Sequence, residues 1–281
     1  MDGARDRGPA RADVEASVNV VLVDPAELAP DGTVTLTDAR AEHVRTVLGA
    51  TAGARVRVGV IDGPLGTACV ERVDGRAVVL RCDELAPAPP PRPRVDLLLA
   101  VPRPKVLKRL WAPLAQLGVG RILLTSAARV EKYYFDSHAV TPELWRTRLL
   151  EGLAQARDTR VPIVTVHRSL ERLVANDLDR LSGDAHRLLA DVELAGTERP
   201  LTVRDACREL RTDSRVLLAV GPEGGWRDDE RALLGERGFT AVTLGPRALR
   251  TDVACIALLA LAHEALEATA ATRRAVAATK P

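Results

Sequence analysis

The chain has 281 residues, of which 46% are apolar, 28% charged and 2% aromatic, and its formal net charge is +2. That length allows about two domains, and the mix of apolar and charged residues excludes a collagen-like or wholly disordered chain. So few aromatic residues argue against a stacking sheet of the kind that single-strand RNA modules use.

Residues 1–17, mixed in charge and without an apolar stretch, are expected to form a disordered leader and not a secretory signal. Residues 18–86 carry short alternating runs, Val18 to Val23, Arg55 to Ile61, Thr67 to Arg72 and Ala77 to Arg81, punctuated by Asp62-Gly63-Pro64 and Asp74-Gly75. Alternation between D-G turns predicts antiparallel strands and a small β-barrel or sandwich. Five of the seven residues from Pro87 to Pro93 are proline, which stops helix and ladder alike and marks 87–94 as a linker.

Beyond the linker, apolar strands alternate with longer amphipathic stretches. Strands are expected at Val95 to Val101, Arg121 to Thr125, Val161 to Val166, Arg187 to Ala190, Val216 to Val220 and Ala241 to Leu244. Helices are expected at Pro104 to Leu117, Pro142 to Gln155, Leu170 to Leu178, Val203 to Leu210, Asp228 to Gly235 and Asp252 to Ala268. Residues 95–268 therefore read as an α/β domain with a mostly parallel sheet, whose ligand sites lie at the carboxyl ends of strands. Residues 269–281 are expected to be a flexible tail.

Residues 87–137 hold 9 basic and 3 acidic side chains, against 10 and 14 in residues 1–86 and 21 and 21 in residues 138–281. The excess positive charge therefore sits in one middle segment. Cys69, Cys82, Cys207 and Cys255 show no C-x-x-C pair and no histidine at zinc-ligand spacing, so neither a metal site nor a disulfide framework is expected, which suits a reducing cytoplasm. Val253 to Leu261, the most apolar run, is too short to span a bilayer.

Two loops carry chemistry. Val220-Gly221-Pro222-Glu223-Gly224-Gly225-Trp226 follows an apolar strand and precedes an acid-rich helix start, Asp228-Asp229-Glu230. Its glycines permit positive φ and close approach of backbone to a ligand. It fits neither G-x-x-x-x-G-K-[ST] nor G-x-G-x-x-G, and the three acids would repel phosphate; an ordinary strand-helix turn is the alternative for this loop alone. A second strand runs into Leu244-Gly245-Pro246-Arg247-Ala248-Leu249-Arg250-Thr251-Asp252, where Thr251 or Asp252 can cap the last helix.

Together these loops resemble the paired signatures of the RsmE family of 16S ribosomal RNA (uridine-N3) methyltransferases, which belong to the SPOUT class with a trefoil-knotted S-adenosylmethionine site. Glu230, Arg247, Leu249, Arg250, Thr251 and Ala254 fall in register with the family pattern. Pro104 to Gly118, Ser126 to Ser137 and Gly152 to Pro162 are similar to further family segments, and His43-Val44 with Gly53 and Asp62-Gly63 is similar to its PUA-like N-terminal domain. The chain departs from the pattern at Gln116, Gly49, Ala54 and Asp252-Val253.

The resemblance implies a knotted C-terminal α/β domain behind a small PUA-like β-barrel, with S-adenosylmethionine as cofactor and no metal. It implies cofactor contacts from Val220, Gly221, Pro222, Glu223, Gly224, Gly225, Leu244, Gly245, Leu249, Arg250 and Thr251, with Ala190-Asp191-Val192-Glu193 as a weaker third loop. Arg250 is the preferred stabiliser of the uracil anion, since a guanidinium stays protonated and forks to carbonyl oxygens. Glu223 is a candidate general base, with bonding of its own loop's backbone as the alternative.

The RNA surface implied is Arg45, Arg103, Lys105, Lys108, Arg109, Arg129, Lys132, Arg157 and Arg160, making phosphate-type contacts, with a solvated face as the alternative for each. Tyr133-Tyr134-Phe135 is a candidate for stacking a flipped base or for packing. His43 reads as structural. The apolar last helix implies a homodimer, and the acceptor implied is 16S ribosomal RNA in the cytoplasm. Two other readings are a related methyltransferase acting on another RNA or a small molecule, and a non-catalytic RNA-binding ribosome-assembly protein.

Overall fold

Two sheets follow from the two rhythms in the sequence. The computed structural model describes residues 19–191, 201–211 and 213–278; Val18, Val192, Glu193 and the leader expected at residues 1–17 lie outside them. The chain divides into two compact units, one up to Pro91 that also takes Leu153–Arg160, the other comprising Arg92–Gly152 and the chain from Val161 onward.

In the first unit, β1 (Val21–Val23), β2 (Thr33–Leu36), β3 (Arg55–Val60), β4 (Leu65–Asp74) and β5 (Ala77–Leu85) form a sheet ordered β1-β3-β4-β5-β2. Three of its pairings are antiparallel, as the D-G turns predict, but β1 runs parallel to β3. A parallel pair needs a long crossover, and residues 24–54 supply it, carrying β2, α1 (Ala39–Glu42) and a π-helical turn at His43–Val47 that periodicity did not foresee. Val23, Leu36, Val44, Val58, Val70, Val78 and Leu80 form the fully buried centre of this unit.

Leu153–Arg160 was read as part of the second domain, yet its backbone bonds lie in the first. Ala154 O accepts from Val20 N–H at 3.0 Å and Thr159 O from Asp62 N–H at 2.8 Å, while the Thr159 hydroxyl donates to Gly63 O at 2.6 Å.

The second unit holds β6 (Val95–Ala100), α2 (Pro104–Gln116), β7 (Val119–Thr125), all but the last four residues of α3 (Pro142–Ala156), β8 (Ile163–His167), α4 (Leu170–Arg172), α5 (Leu178–Ser182), β9 (His186–Ala190), α6 (Val203–Cys207), β10 (Val216–Val220), α7 (Asp228–Glu236), β11 (Thr240–Val242) and α8 (Thr251–Ala278). Its six strands are all parallel, in the order β11-β9-β10-β6-β7-β8. Central β6 is buried at every residue, as befits a strand covered on both faces.

Two expectations need correction. The single helix over Leu170 to Leu178 is broken by a π-helical turn at Leu173–Asp177, where Val174, Asn176 and Asp177 are poor α-helix formers. The last helix continues past Ala268 to Ala278 through an alanine-rich segment, taking up most of the residues expected as a tail.

Candidate functional site

Because β9, β10 and β11 are parallel and adjacent, the loops at their carboxyl ends share one edge of the sheet. They enclose a cavity of about 270 Å³ together with the start of α8. Val220, Gly221, Pro222, Glu223, Gly224, Gly225, Leu244, Leu249 and Thr251 line it. Gly245 and Arg250 are absent from the lining. Gly245 shapes the turn, at φ 98°, with its N–H bonded to Thr243 Oγ1 at 3.0 Å. Arg250 turns instead to Asp252, donating from Nη2 to Oδ2 at 3.3 Å.

Sequence reasoning left out Trp226, Val242, Ala248, Ala254 and Leu258, and assigned no role to Arg247, although all six line the cavity. Trp226, Arg247, Ala248 and Ala254 stood inside the quoted motifs without being assigned to the site; Val242 and Leu258 carried no signal beyond apolarity. Of the third loop, Ala190 and Asp191 line the cavity and Val192 and Glu193 lie outside the described residues. Asp191 is buried, and its Oδ2 accepts from Arg231 Nη1 at 3.0 Å, which also donates to Trp226 O at 3.1 Å.

The glycine loop is held from outside as well as within. Gly225 adopts φ 75° and closes a turn by donating its N–H to Pro222 O at 2.8 Å. Glu223 Oε1 accepts the backbone N–H of Arg103 at 3.1 Å, so the carboxylate binds backbone, but of the loop after β6 and not of its own. Buried Glu230 accepts from Ala128 N–H at 2.6 Å through Oε1 and from Arg227 N–H at 2.8 Å through Oε2, joining the start of α7 to the loop after β7. In that same loop Arg129 donates from Nη1 to Gly224 O. Trp226 is buried against Gly221, where a Cβ would meet the indole Nε1 at 3.0 Å, and among the described residues this Nε1 has no acceptor.

The basic candidates separate. Arg45, Arg157 and Arg160 belong to the first unit, and Arg103, Lys105, Lys108, Arg109, Arg129 and Lys132 to the second. Arg45 donates to Gly75 O at 2.7 Å, and Arg160 donates to Pro90 O at 2.6 Å and Asp62 O at 3.1 Å, so both guanidiniums are engaged by backbone. Arg157 holds an exposed left-handed position, φ 57°. Arg109 donates from Nη2 to Asp252 Oδ2 at 3.1 Å. Lys105, Lys108 and Lys132 are exposed. Tyr133 is 63% exposed and meets buried Tyr134 edge to face, with centroids 4.8 Å apart.

Burial pushes the Cys207 thiol up to about 11 and raises Cys255 further, so neither is a thiolate nucleophile at neutral pH. Among the described residues no group of three or more His, Cys, Asp or Glu is arranged to hold a metal ion, and no helix is long and apolar enough to cross a membrane.

Residues 89–263 match the family model described as an RNA methyltransferase domain. A protein of Treponema pallidum named ribosomal RNA small subunit methyltransferase E is 31% identical over 251 residues, covering 88% of this chain and 92% of that protein. One of the same name from Mycobacterium tuberculosis is 29% identical over 219 residues, covering 77% and 80%. The solved structure of a ribosomal RNA small subunit methyltransferase E from Neisseria gonorrhoeae, bound to S-adenosyl methionine, is similar in fold, with a TM-score of 0.65 at 21% identity over 86% of this chain and 96% of that one.

Proposed function

The chain belongs to the RsmE family of RNA methyltransferases, and on that premise we propose that it transfers a methyl group from S-adenosylmethionine to N3 of a uridine in 16S ribosomal RNA. The observation that carries this reading is the cavity at the carboxyl ends of β9, β10 and β11, whose walls are apolar side chains and glycine backbone. Such a lining suits adenine and ribose: Val220, Pro222, Leu244 and Leu258 offer apolar contact, and bare backbone at Gly221 and Gly224 offers hydrogen bonds without a side chain in the way. The bound cofactor supplies the methyl group as an electrophile on a sulfonium.

Uridine N3 carries a proton at neutral pH, so that proton must pass to solvent water and the protein must favour the uracil anion left behind, with the demethylated thioether of the cofactor as leaving group. Arg250, two-thirds exposed beside the cavity, keeps its charge and offers forked donors to O2 or O4. Glu223 serves in this reading as the tie between two loops, with much of the rate coming from alignment of N3 with the methyl carbon. Arg103, Lys105, Arg109, Arg129 and Lys132 would grip the RNA backbone, with Arg45, Arg157 and Arg160 of the first unit as further contacts.

The trefoil knot and the PUA-like character of the first unit belong to the same proposal, as do a cytoplasmic site of action and a homodimer. Exposed Val253, Ile256 and Leu261 lie on one face of α8 and support that pairing. Mass spectrometry of 16S RNA from a deletion strain, with and without the restored gene, tests the function. Loss and recovery of N3-methyluridine is expected; unchanged methylation rejects the acceptor, and no calorimetric binding of S-adenosylmethionine rejects the chemistry.

A further inference from the structure

Asp252 sits in the first turn of α8, and its side chain is 12% exposed. Its Oδ2 accepts from Nη2 of Arg109, on α2, at 3.1 Å and from Nη2 of Arg250, in the loop before α8, at 3.3 Å. Its Oδ1 takes the N–H of Val253 at 3.1 Å. One carboxylate thus faces two guanidiniums, which are themselves 59% and 68% exposed, and cancels only one of their two charges. Thr251 and Leu249 line the cavity while Asp252, Arg109 and Arg250 do not, so the net positive charge stands beside the cavity and outside it.

We propose that Asp252 is a positioning residue, which sets Arg109 and Arg250 side by side as one two-guanidinium clamp for an anionic oxygen of the acceptor. The proposal rests on the RNA methyltransferase reading and gives it a second arginine and a carboxylate. Both guanidiniums are more than half exposed, where solvent screening leaves an ion pair little to contribute to stability, so holding the fold together does not account for the cluster. A long, exposed arginine left alone samples many rotamers, and two close guanidiniums repel each other. A half-neutralising carboxylate anchored in a helix fixes both, and leaves their remaining N–H groups to recognise an oxygen anion bidentately. The anion is either a backbone phosphate oxygen or a uracil carbonyl oxygen as charge develops on it.

The test uses the full chain, S-adenosylmethionine and small-subunit ribosomal RNA. Asp252→Asn keeps the shape and removes the charge; kcat/KM for methyl transfer should fall at least about tenfold, with calorimetric cofactor affinity and melting temperature unchanged. Asp252→Glu, which restores the carboxylate, should recover most of that loss. Arg109→Ala should lose a similar factor, and its combination with Asp252→Asn should be no worse than the poorer single variant, because the residues act as a unit. A loss in KM identifies the phosphate oxygen and a loss in kcat the uracil oxygen.

Wild-type kcat/KM in Asp252→Asn, failure of Asp252→Glu to rescue, or losses that multiply in the double variant would overturn the clamp while leaving the methyltransferase reading intact. A wild-type chain that binds cofactor and methylates no RNA overturns both. Should Asp252→Asn not fold, Asp252 is structural and the proposal falls.

Discussion

Glu223 reaches out of the glycine loop to accept the backbone N–H of Arg103 at 3.1 Å, so the loop after β10 is fastened to the loop after β6 by a side chain the motif presents as a candidate base. The two roles separate by substitution. Glu223→Gln keeps an oxygen acceptor and should retain kcat within about threefold, whereas removal of a true general base costs about 10²–10⁴-fold. Glu223→Ala, which frees the loop, should lose about tenfold in kcat/KM through misplacement. Methyl-transfer kinetics on both variants check this, and a collapse of kcat in Glu223→Gln would restore the base.

Glu230 is buried and satisfies two backbone donors at once. Glu230→Ala removes both bonds, and because Ala128 and Arg227 are exposed and water can take up their N–H groups, the loss should be about 0.5–1.5 kcal/mol per bond. Urea denaturation should show that loss, with Glu230→Gln intermediate, because its amide oxygen serves only one of the two. Hydrogen exchange at Ala128 should accelerate in Glu230→Ala.

Gly221 packs tightly against the Trp226 indole: a Cβ would stand 3.0 Å from Nε1, so the ring would have to give by a few tenths of an ångström. Gly221→Ala should therefore strain the cavity wall by about 1–3 kcal/mol, as overpacking does. Calorimetry should record weaker S-adenosylmethionine binding by about tenfold or more, which corresponds to about 1.4 kcal/mol. Unaltered affinity would mean that the indole gives way without cost.

His263 donates from Nε2 to Gly118 O at 3.0 Å, and burial, the largest influence, depresses its pKa below the ordinary histidine value. Burial likewise depresses His186 and His167. The unfolded chain then binds more protons than the folded one from about pH 6.5 downward, so stability falls as pH drops through that window and is full above it. Urea denaturation between pH 5 and 7.5 should give a positive slope of stability with pH. His263→Gln should flatten it.

The second unit was legible because its strands are continuous apolar runs: the bounds of β10 are those read from Val216 to Val220, and β6 differs from its expected range by one residue. Four-residue β2 was missed because Thr33–Leu36 is too short to show alternation clearly. The parallel pairing of β1 was invisible for another reason, since pairing partners distant in sequence leave no local mark. At the cavity, glycine spacing revealed the loops, but not that Arg250 would turn to Asp252, nor that Asp191 would be paired with Arg231. Those outcomes depend on which side chains meet across elements.

The detour of Leu153–Arg160 gives the chain three covalent crossings between its units where a linker at residues 87–94 alone would give one. Severing the polypeptide at Pro91 would therefore not release an intact first module, because eight residues that bond to Val20, Asp62 and Gly63 would stay behind with the other half. An N-terminal fragment ending at Pro91 should melt below the temperature at which the same sheet unfolds in the whole chain, and a synthetic peptide covering the missing segment, added in trans, should restore part of the difference.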